Sequence, residues 1–217
     1  MTDERKKEIE NLTVALLKEY GLFRVNGAAP IFVKDELQKR FGGGYKFYET
    51  PMESNLQGAI FQGKNQIVRI VVNSTIDNVG RKNFTYAHEM GHYFLMHDLS
   101  NLACTQANVE GCFSVKDPQE VEANYFASYF LMPKDYVYWN FYNAMKTFLL
   151  MPNPYQPLYV DNRNYRRHWK VMCSYFESRC GVSGSALKYR LEELDLLRWN
   201  FHPKPKSNTF WSRFSLE

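Results

Sequence analysis

The sequence predicts an α+β fold, in which a small antiparallel or mixed sheet packs on helices and a small helical region follows. Three observations lead to this prediction. β-branched residues concentrate in the segment 59–72, helical hydrophobic periodicity occurs on both sides of it, and three prolines stand within residues 151–157. With 217 residues, of which 45% are hydrophobic, the chain can bury one sizeable core.

The first elements are expected to be two helices. Residues 3–20 carry apolar side chains near helical spacing, and Gly21 stands where a helix would stop. A second helix is predicted over residues 34–40, before the flexible run of three glycines at 42–44.

A β-hairpin is expected next. Residues 59–62 form its first strand, residues 63–65 its turn, and the β-branched run Ile67 to Val72 its second strand.

Three helices should complete the N-terminal part of the chain. The first covers residues 81–97. The second begins at Asp117, a helix-capping residue followed by proline at the first helical position, and ends near Met132 because Pro133 follows. The third runs from Asp135 to about Leu150.

A domain boundary is placed in the proline-rich connection 151–157, so that residues 1–150 form the core domain. Beyond the boundary, the region 158–199 is predicted to hold two helices, Asn164 to about Cys180 and Ser183 to Leu197. They are joined across Gly181 and Val182 in a helix-turn-helix-like arrangement. The tail 200–217 is expected to be irregular.

The composition favours a cytoplasmic protein that does not enter a membrane. The N-terminal residues are charged, no stretch approaches eighteen consecutive apolar residues, and the four cysteines form no CxxC pair. The net charge is +4, and residues 151–217 carry 11 Lys+Arg against 6 Asp+Glu. This local excess permits a nucleic-acid or acidic-protein partner, but it is equally typical of an ordinary solvated surface.

The sequence His88-Glu89-Met90-Gly91-His92 indicates a metal site. Positions i and i+4 of a helix share one face, so His88 and His92 can direct their imidazoles at one ion. A zinc ion with three protein ligands lowers the pKa of its water toward about 7, and a neighbouring carboxylate can then take the proton. Glu89 is the candidate base.

Gly91 adds weight to this interpretation. A glycine inside a helix costs about 1 kcal/mol relative to alanine. Its place between the two histidines therefore predicts that another backbone, or the metal, approaches closely.

The third ligand has three candidates. His97 follows the second histidine by five residues rather than the six of the metzincin motif, and Leu95 stands where that motif needs glycine. Glu120 shares a helical stripe with the small residues Ala123 and Ala127, which favour close packing against the His88 helix. Glu120 can also be explained as part of a capping box with Asp117.

Glu122 is the rival carboxylate, but it faces roughly the opposite side of the helix from Glu120. Asn124 lies one turn after Glu120 on the same stripe. Its side chain could hold a ligating histidine by the second ring nitrogen, a supporting role that metal sites usually fill.

Two segments, 81–93 and 120–133, together resemble the two signature helices of the ImmA/IrrE-type metallopeptidases. The resemblance covers residues 10–150 and extends more weakly to 181–191, which is similar to the helix-turn-helix-like segment of several members. It implies a gluzincin-like site with His88, His92 and Glu120 as ligands of Zn²⁺ and Glu89 as the base. It also implies cleavage of helix-turn-helix transcriptional repressors, in the control of mobile elements or of stress responses.

Peptidases of this type hold the substrate as an added strand at a sheet edge. The strand Ile67 to Val72 is the candidate edge, and a core strand without an exposed edge is the alternative.

Two functions from different classes follow. The leading hypothesis is a zinc-dependent endopeptidase acting on a repressor, with manganese open as the metal in the cell. The alternative is a DNA-binding or antitoxin-like regulator with an inactive or structural metal core, suggested by Arg163, Arg166 and Arg167 before a possible recognition helix. Glu89 beside both histidines favours the enzyme, and the modest charge makes nucleic acid an unlikely direct ligand.

Overall fold

The computed structural model describes residues 1–23, 33–53, 55–62, 66–98, 103–105, 117–161 and 163–199. Within these ranges the helices are α1 Asp3–Glu19, α2 Val33–Phe41, α3 Val79–Phe94, α4 Pro118–Leu131, α5 Lys134–Thr147, α6 Tyr165–Cys180 and α7 Gly184–Glu193. The strands are β1 Tyr45–Thr50, β2 Leu56–Gln62, β3 Val68–Asn73, β4 Ala103–Thr105, β5 Leu158–Val160 and β6 Leu197–Trp199. The predicted tail 200–217 lies outside the described residues.

The main sheet is mixed, with strand order β1-β3-β2-β4. β3 is parallel to β1, and β2 is antiparallel to both β3 and β4. The predicted hairpin is confirmed as β2 and β3, although its turn at 63–65 lies outside the described residues. A mixed sheet combined with flanking helices confirms the predicted α+β class.

The prediction that Ile67 to Val72 offers an edge to a substrate is wrong. β3 pairs with β1 along its whole length on one side and with β2 from Val68 to Val72 on the other, and Ile70 and Val72 are fully buried. Its backbone groups are therefore already used within the sheet. The second side of β3 is covered by β1, which pairs with it in parallel. Because β2 lies between β1 and β3 in the sequence, the local sequence pattern did not reveal this pairing.

The N-terminal helices form where the sequence predicts them. Thr2 caps α1 by accepting a hydrogen bond from the Arg5 amide, and Gly21 follows the helix with a φ of 63°. The face of α1 that contains Ile9 and Leu16 is buried. α2 covers the predicted residues 34–40 and extends one residue further at each end.

The helices around the centre also start and stop on local signals. Asp117 caps α4 by accepting from the Gln119 amide, and Pro118 occupies the first turn. α4 ends at Leu131, two residues before Pro133, and α5 follows. Among the described residues, no helix combines the length and the apolarity that a bilayer crossing requires.

The C-terminal region differs from prediction at its end. α6 and α7 meet at Gly181, which adopts the left-handed conformation with a φ of 59°, and Ser183 caps α7 as expected. The helix does not continue to Leu197, however, because the chain turns at Asp195 and Leu197–Trp199 pairs in parallel with β5. This pairing joins residues that are far apart in sequence, so tertiary contact overrides the helical pattern.

The C-terminal helices pack directly on α3. Asn83 of α3 donates a buried hydrogen bond to the Gly181 carbonyl, over 2.8 Å. Arg190 of α7 is buried and donates to the Met132 carbonyl over 3.0 Å. One hydrophobic cluster runs from Ile9 in α1 to Leu197 in β6. The first bond joins the C-terminal region to α3 and the second joins it to the end of α4, while the domain boundary at 151–157 stays a prediction.

The contact between α3 and the α6–α7 corner depends on Gly80. A Cβ atom at this position would overlap the backbone of Val182 and Ser183, which cannot yield as a side chain would. We expect Gly80→Ala to lower the free energy of unfolding by about 1–3 kcal/mol despite the better helix propensity of alanine. Urea unfolding measures this change. Gly43→Ala is the control, because no atom lies within 4 Å of a Cβ there, and an unaffected Gly80→Ala protein would contradict the proposed packing.

Candidate metal centre

α3 places two imidazoles side by side. Asn78 caps the helix by accepting from the Arg81 amide, and the residues that follow bury the face that carries His88 and His92. The Nε2 atoms of the two rings lie 3.0 Å apart. Both side chains are essentially inaccessible to solvent, with 0% and 1% of their surface exposed.

The close approach predicted at Gly91 is confirmed. A Cβ added to Gly91 would lie 3.1 Å from Ala123 Cα and 3.2 Å from the Ala123 carbonyl oxygen. The backbones of α3 and α4 therefore touch at this point, where both helices have a small residue. This contact places the first turn of α4 beside the two histidines.

Glu120 extends from that first turn toward the imidazoles. Its carboxylate oxygens lie 3.3 Å from His88 Nε2 and 3.5 Å from His92 Nε2. Within the described part of the chain, His88, His92 and Glu120 form the one buried group whose potential ligand atoms all lie within 4.8 Å of one another. Two imidazole nitrogens and one carboxylate oxygen are a common donor set for zinc in catalytic sites.

Glu122 points elsewhere. Its Oε2 atom accepts a hydrogen bond from Arg5 over 2.7 Å and lies 3.2 Å from His97 Nε2. Arg5, more than His97, lowers the pKa of the Glu122 carboxyl below its usual value. The structure thus separates the two carboxylates onto opposite sides of His92.

Asn124 lies next to His88, where its Oδ1 atom is 2.9 Å from His88 Nδ1. An amide oxygen only accepts, so His88 Nδ1 carries the proton and donates. The lone pair of the neutral ring is then on Nε2, which faces Glu120. Asn124 is buried and stands in the position that the sequence suggested for a supporting residue.

His97 does not join the group. Its Nδ1 atom is 3.0 Å from His92 Nδ1, on the side of the ring opposite to Glu120. Sequence reasoning weighed His97 as a ligand and missed both this contact and the Arg5 contact to Glu122. The offset of five residues was visible in the sequence, but its consequence required the path of the chain after α3.

The residues fit a divalent metal ion. Burial, followed by the nearby His88 and His97, lowers the pKa of His92 to about 2, so the ring is neutral. Glu120 Oε2 is buried and accepts no hydrogen bond from the described residues, although His88 Nε2 is close. When both rings carry their proton on Nδ1, the two Nε2 lone pairs and the Glu120 carboxylate face one another and repel, and a cation would remove that repulsion.

Glu89 follows His88 on α3 and is fully buried. β2 runs directly over it at Gly58, where a Cβ would lie 2.9 Å from Glu89 Oε1 and 2.6 Å from Thr85 Cγ2. Only glycine allows the strand to approach this closely. The carboxylate is thus confined between β2 and α3, next in sequence to a candidate ligand.

Two comparisons with known proteins found similar proteins. A family model described as the IrrE N-terminal-like domain of a peptidase family matches residues 44–192, a range that contains α3 and α4. A solved structure of a Mycobacterium tuberculosis transcriptional regulator is similar, with 14% sequence identity and a TM-score of 0.45. The similarity covers 87% of this chain but only 49% of that chain. No curated protein matches the sequence.

The two carboxylates of α4 should differ in their effect on metal binding. Glu120→Gln is expected to weaken Zn²⁺ binding by more than about a hundredfold, because the charged ligand is lost. Glu122→Gln is expected to weaken it by about tenfold or less, since the amide oxygen can still accept from His97. Competition with a chromophoric chelator measures the Zn²⁺ dissociation constant of each variant. The reverse order of effects would transfer the ligand role to Glu122.

Proposed function

The chain belongs to the IrrE N-terminal-like family of metallopeptidases, and from that premise we propose that it is a zinc-dependent endopeptidase that cleaves a helix-turn-helix transcriptional repressor. The observation that carries the proposal is the buried group of His88, His92 and Glu120, with Glu89 on the same helix. Peptide-bond hydrolysis is the chemistry that this arrangement suits best.

His88, His92 and Glu120 would hold the metal, and Asn124 would orient His88 through its Nδ1 proton. A bound zinc ion supplies Lewis acidity, which lowers the pKa of water and polarises a peptide carbonyl. Glu89 then accepts the proton of the attacking water on its carboxylate and transfers it to the departing nitrogen. Its burial and the Gly58 backbone above it restrict the positions that the carboxylate can adopt.

Catalysis is favoured over a structural metal core for two reasons. A structural zinc site is usually closed by four protein ligands, whereas three ligands converge here among the described residues. The second reason is the position of Glu89, which is fully buried and next in sequence to His88. A carboxylate there can serve as the general base of a hydrolase, whereas a purely structural metal core has no use for a base.

The alternative, a DNA-binding regulator, fits the C-terminal helices less well. Arg190 is buried in α7, where it donates to the Met132 carbonyl and to Glu193, so it is not available to a phosphate. The exposed positions of α7 include Glu193, and Asp195 follows in the next turn. Negative charge there would repel DNA. We assign this region to contact with the protein substrate.

The assignment of a helix-turn-helix repressor as the substrate rests on the family resemblance. Such a substrate acts on chromosomal or plasmid DNA, so we place the enzyme in the cytoplasm. Zinc is proposed as the resident metal because imidazole and carboxylate ligands in a three-residue set suit it. The direct test is incubation of the metal-loaded protein with helix-turn-helix repressors from the same genome, starting with any encoded near its gene, followed by mass spectrometry of the products.

Glu89→Gln should abolish this hydrolysis while metal binding persists. The amide cannot accept the proton, so the rate should fall by about a hundredfold or more, the size typical of losing a general base. Rate and bound zinc are measured on the same preparation. Glu177→Gln, the same change at an exposed position of α6, should leave the rate unchanged. Loss of the metal in Glu89→Gln would instead assign Glu89 to the ligand set.

Duplex DNA should bind weakly to the intact protein. A protein that neutralises six or more phosphates loses about a thousandfold in affinity between roughly 50 and 200 mM salt. We expect neither sequence-selective binding nor a steep decrease of the affinity with salt, since α7 presents acidic residues and buries Arg190. Fluorescence anisotropy with duplexes from the repressor's operator measures it. Tight binding with a steep salt slope would favour the regulator instead.

A further inference from the structure

We propose that His97 is a positioning residue of the metal centre, which fixes the tautomer and the ring orientation of His92 through the hydrogen-bonded chain Arg5–Glu122–His97–His92. This inference rests on the metal site of the proposed function. It concerns the side of His92 that faces away from Glu120.

The chain consists of three successive contacts. Arg5 Nη2 donates to Glu122 Oε2 over 2.7 Å, and the same oxygen lies 3.2 Å from His97 Nε2. His97 Nδ1 then lies 3.0 Å from His92 Nδ1. These hydrogen bonds lead from Arg5, which is partly exposed to solvent, to the buried imidazole of His92.

The chemistry of each partner determines where the protons lie. The Glu122 carboxylate, paired with Arg5, can only accept, so His97 Nε2 carries a proton and donates to it. A neutral His97 therefore has its lone pair on Nδ1. His92 Nδ1 must donate to that lone pair, which leaves the lone pair of His92 on Nε2.

His92 Nε2 is the atom that faces Glu120 and His88. The chain thus selects, for His92, the tautomer that Asn124 selects for His88. The two ligating rings are supported from different directions by different groups, one amide oxygen and one imidazole. Without an acceptor at His92 Nδ1, the proton could move to Nε2 and block the ligating atom.

The end of α3 explains why His97 can reach back to His92. Met96 adopts the left-handed conformation with a φ of 57°, and its amide donates to the Tyr93 carbonyl. The His97 amide donates to the His92 carbonyl over 3.0 Å. This pair of bonds is a Schellman helix ending, in which the chain folds back over the last turn.

The offset of five residues therefore has a structural meaning. In a Schellman ending the sixth residue bonds back to the first, so His97 and His92 are joined through their backbones as well as through their rings. The Met96 side chain is 91% exposed, so its own packing does not account for the unfavourable left-handed backbone. The turn instead brings His97 against the ligand, where it is 8% exposed.

The experiment compares the zinc affinities of wild type, His97→Phe and His97→Asn. Phenylalanine keeps a ring but removes the acceptor, and we expect the affinity to fall by about tenfold to a hundredfold. Asparagine carries Oδ1 at the same number of bonds from Cα as histidine Nδ1, so it should restore most of the affinity. The visible spectrum of the Co²⁺-substituted protein reports the geometry of the ligands independently of activity. It should change in His97→Phe and return toward wild type in His97→Asn.

The matched control is Tyr125→Phe. Tyr125 also joins α4 to α1, by donating to Glu10 over 2.6 Å, but it lies outside the chain to His92. Its removal should leave the zinc affinity unchanged. Urea unfolding of each metal-free variant separates a loss of affinity from a loss of the fold.

If His97→Phe does not fold, Glu122→Met tests the same chain from its more accessible end. Methionine offers no oxygen to the His97 Nε2 proton, so the affinity should fall by about tenfold. Wild-type affinity in the folded His97→Phe or Glu122→Met protein would overturn the proposal. So would an affinity loss in His97→Phe that asparagine does not restore, because that pattern indicates a direct ligand. A wild-type protein that binds no metal would instead refute the proposed function itself.

Discussion

The contact between the backbones of α3 and α4 is the constraint on which the centre depends. Gly91 and Ala123 have the smallest side chains available, and a Cβ at Gly91 would already be within 3.1 Å of Ala123 Cα. This short separation lets a glutamate side chain reach the histidines on the neighbouring helix. A larger residue at either position would move Glu120 away from the two imidazoles, so the metal group exists because the helices touch.

Close packing alone would be unfavourable, since it buries polar groups that need partners. The protein meets this need differently for each histidine. Asn124, which belongs to α4, accepts a hydrogen bond from His88. His92 instead contacts His97, which the helix ending of α3 places beside it. The Glu122 carboxylate contacts the other nitrogen of the His97 ring and accepts a hydrogen bond from Arg5 of α1. Hydrogen bonds thereby link the candidate metal group to the N-terminal helix.

The remaining elements hold α3 from its other sides. β2 crosses it at Gly58, above Glu89, and the α6–α7 corner packs against Gly80 at its first turn. The Asn83 side chain ties the same turn to the Gly181 carbonyl. α3 thus carries two of the three candidate ligands, the candidate base and the contact surface for the α6–α7 corner.

Features that depend on neighbouring residues could be predicted from the amino-acid sequence. The i, i+4 spacing places His88 and His92 on one face, Asp117 and Pro118 start α4, and Pro133 ends it, because each signal acts within one or two helical turns. Helical spacing also predicted that Glu120 and Glu122 face different sides of α4. The free-energy cost of glycine inside a helix predicted the close approach at Gly91.

Interactions between segments that are distant in the sequence became evident only in the folded protein. The parallel pairing of β3 with β1 removed the edge expected at Ile67 to Val72, and the pairing of β6 with β5 replaced the expected end of α7. The contact of His97 with His92 depends on a left-handed turn at Met96, a conformation for which methionine gives no sequence signal. The contact of Arg5 with Glu122 joins residues 117 positions apart. Such contacts form only once the chain has folded, because the free energy that selects them comes from packing and not from local conformational preference.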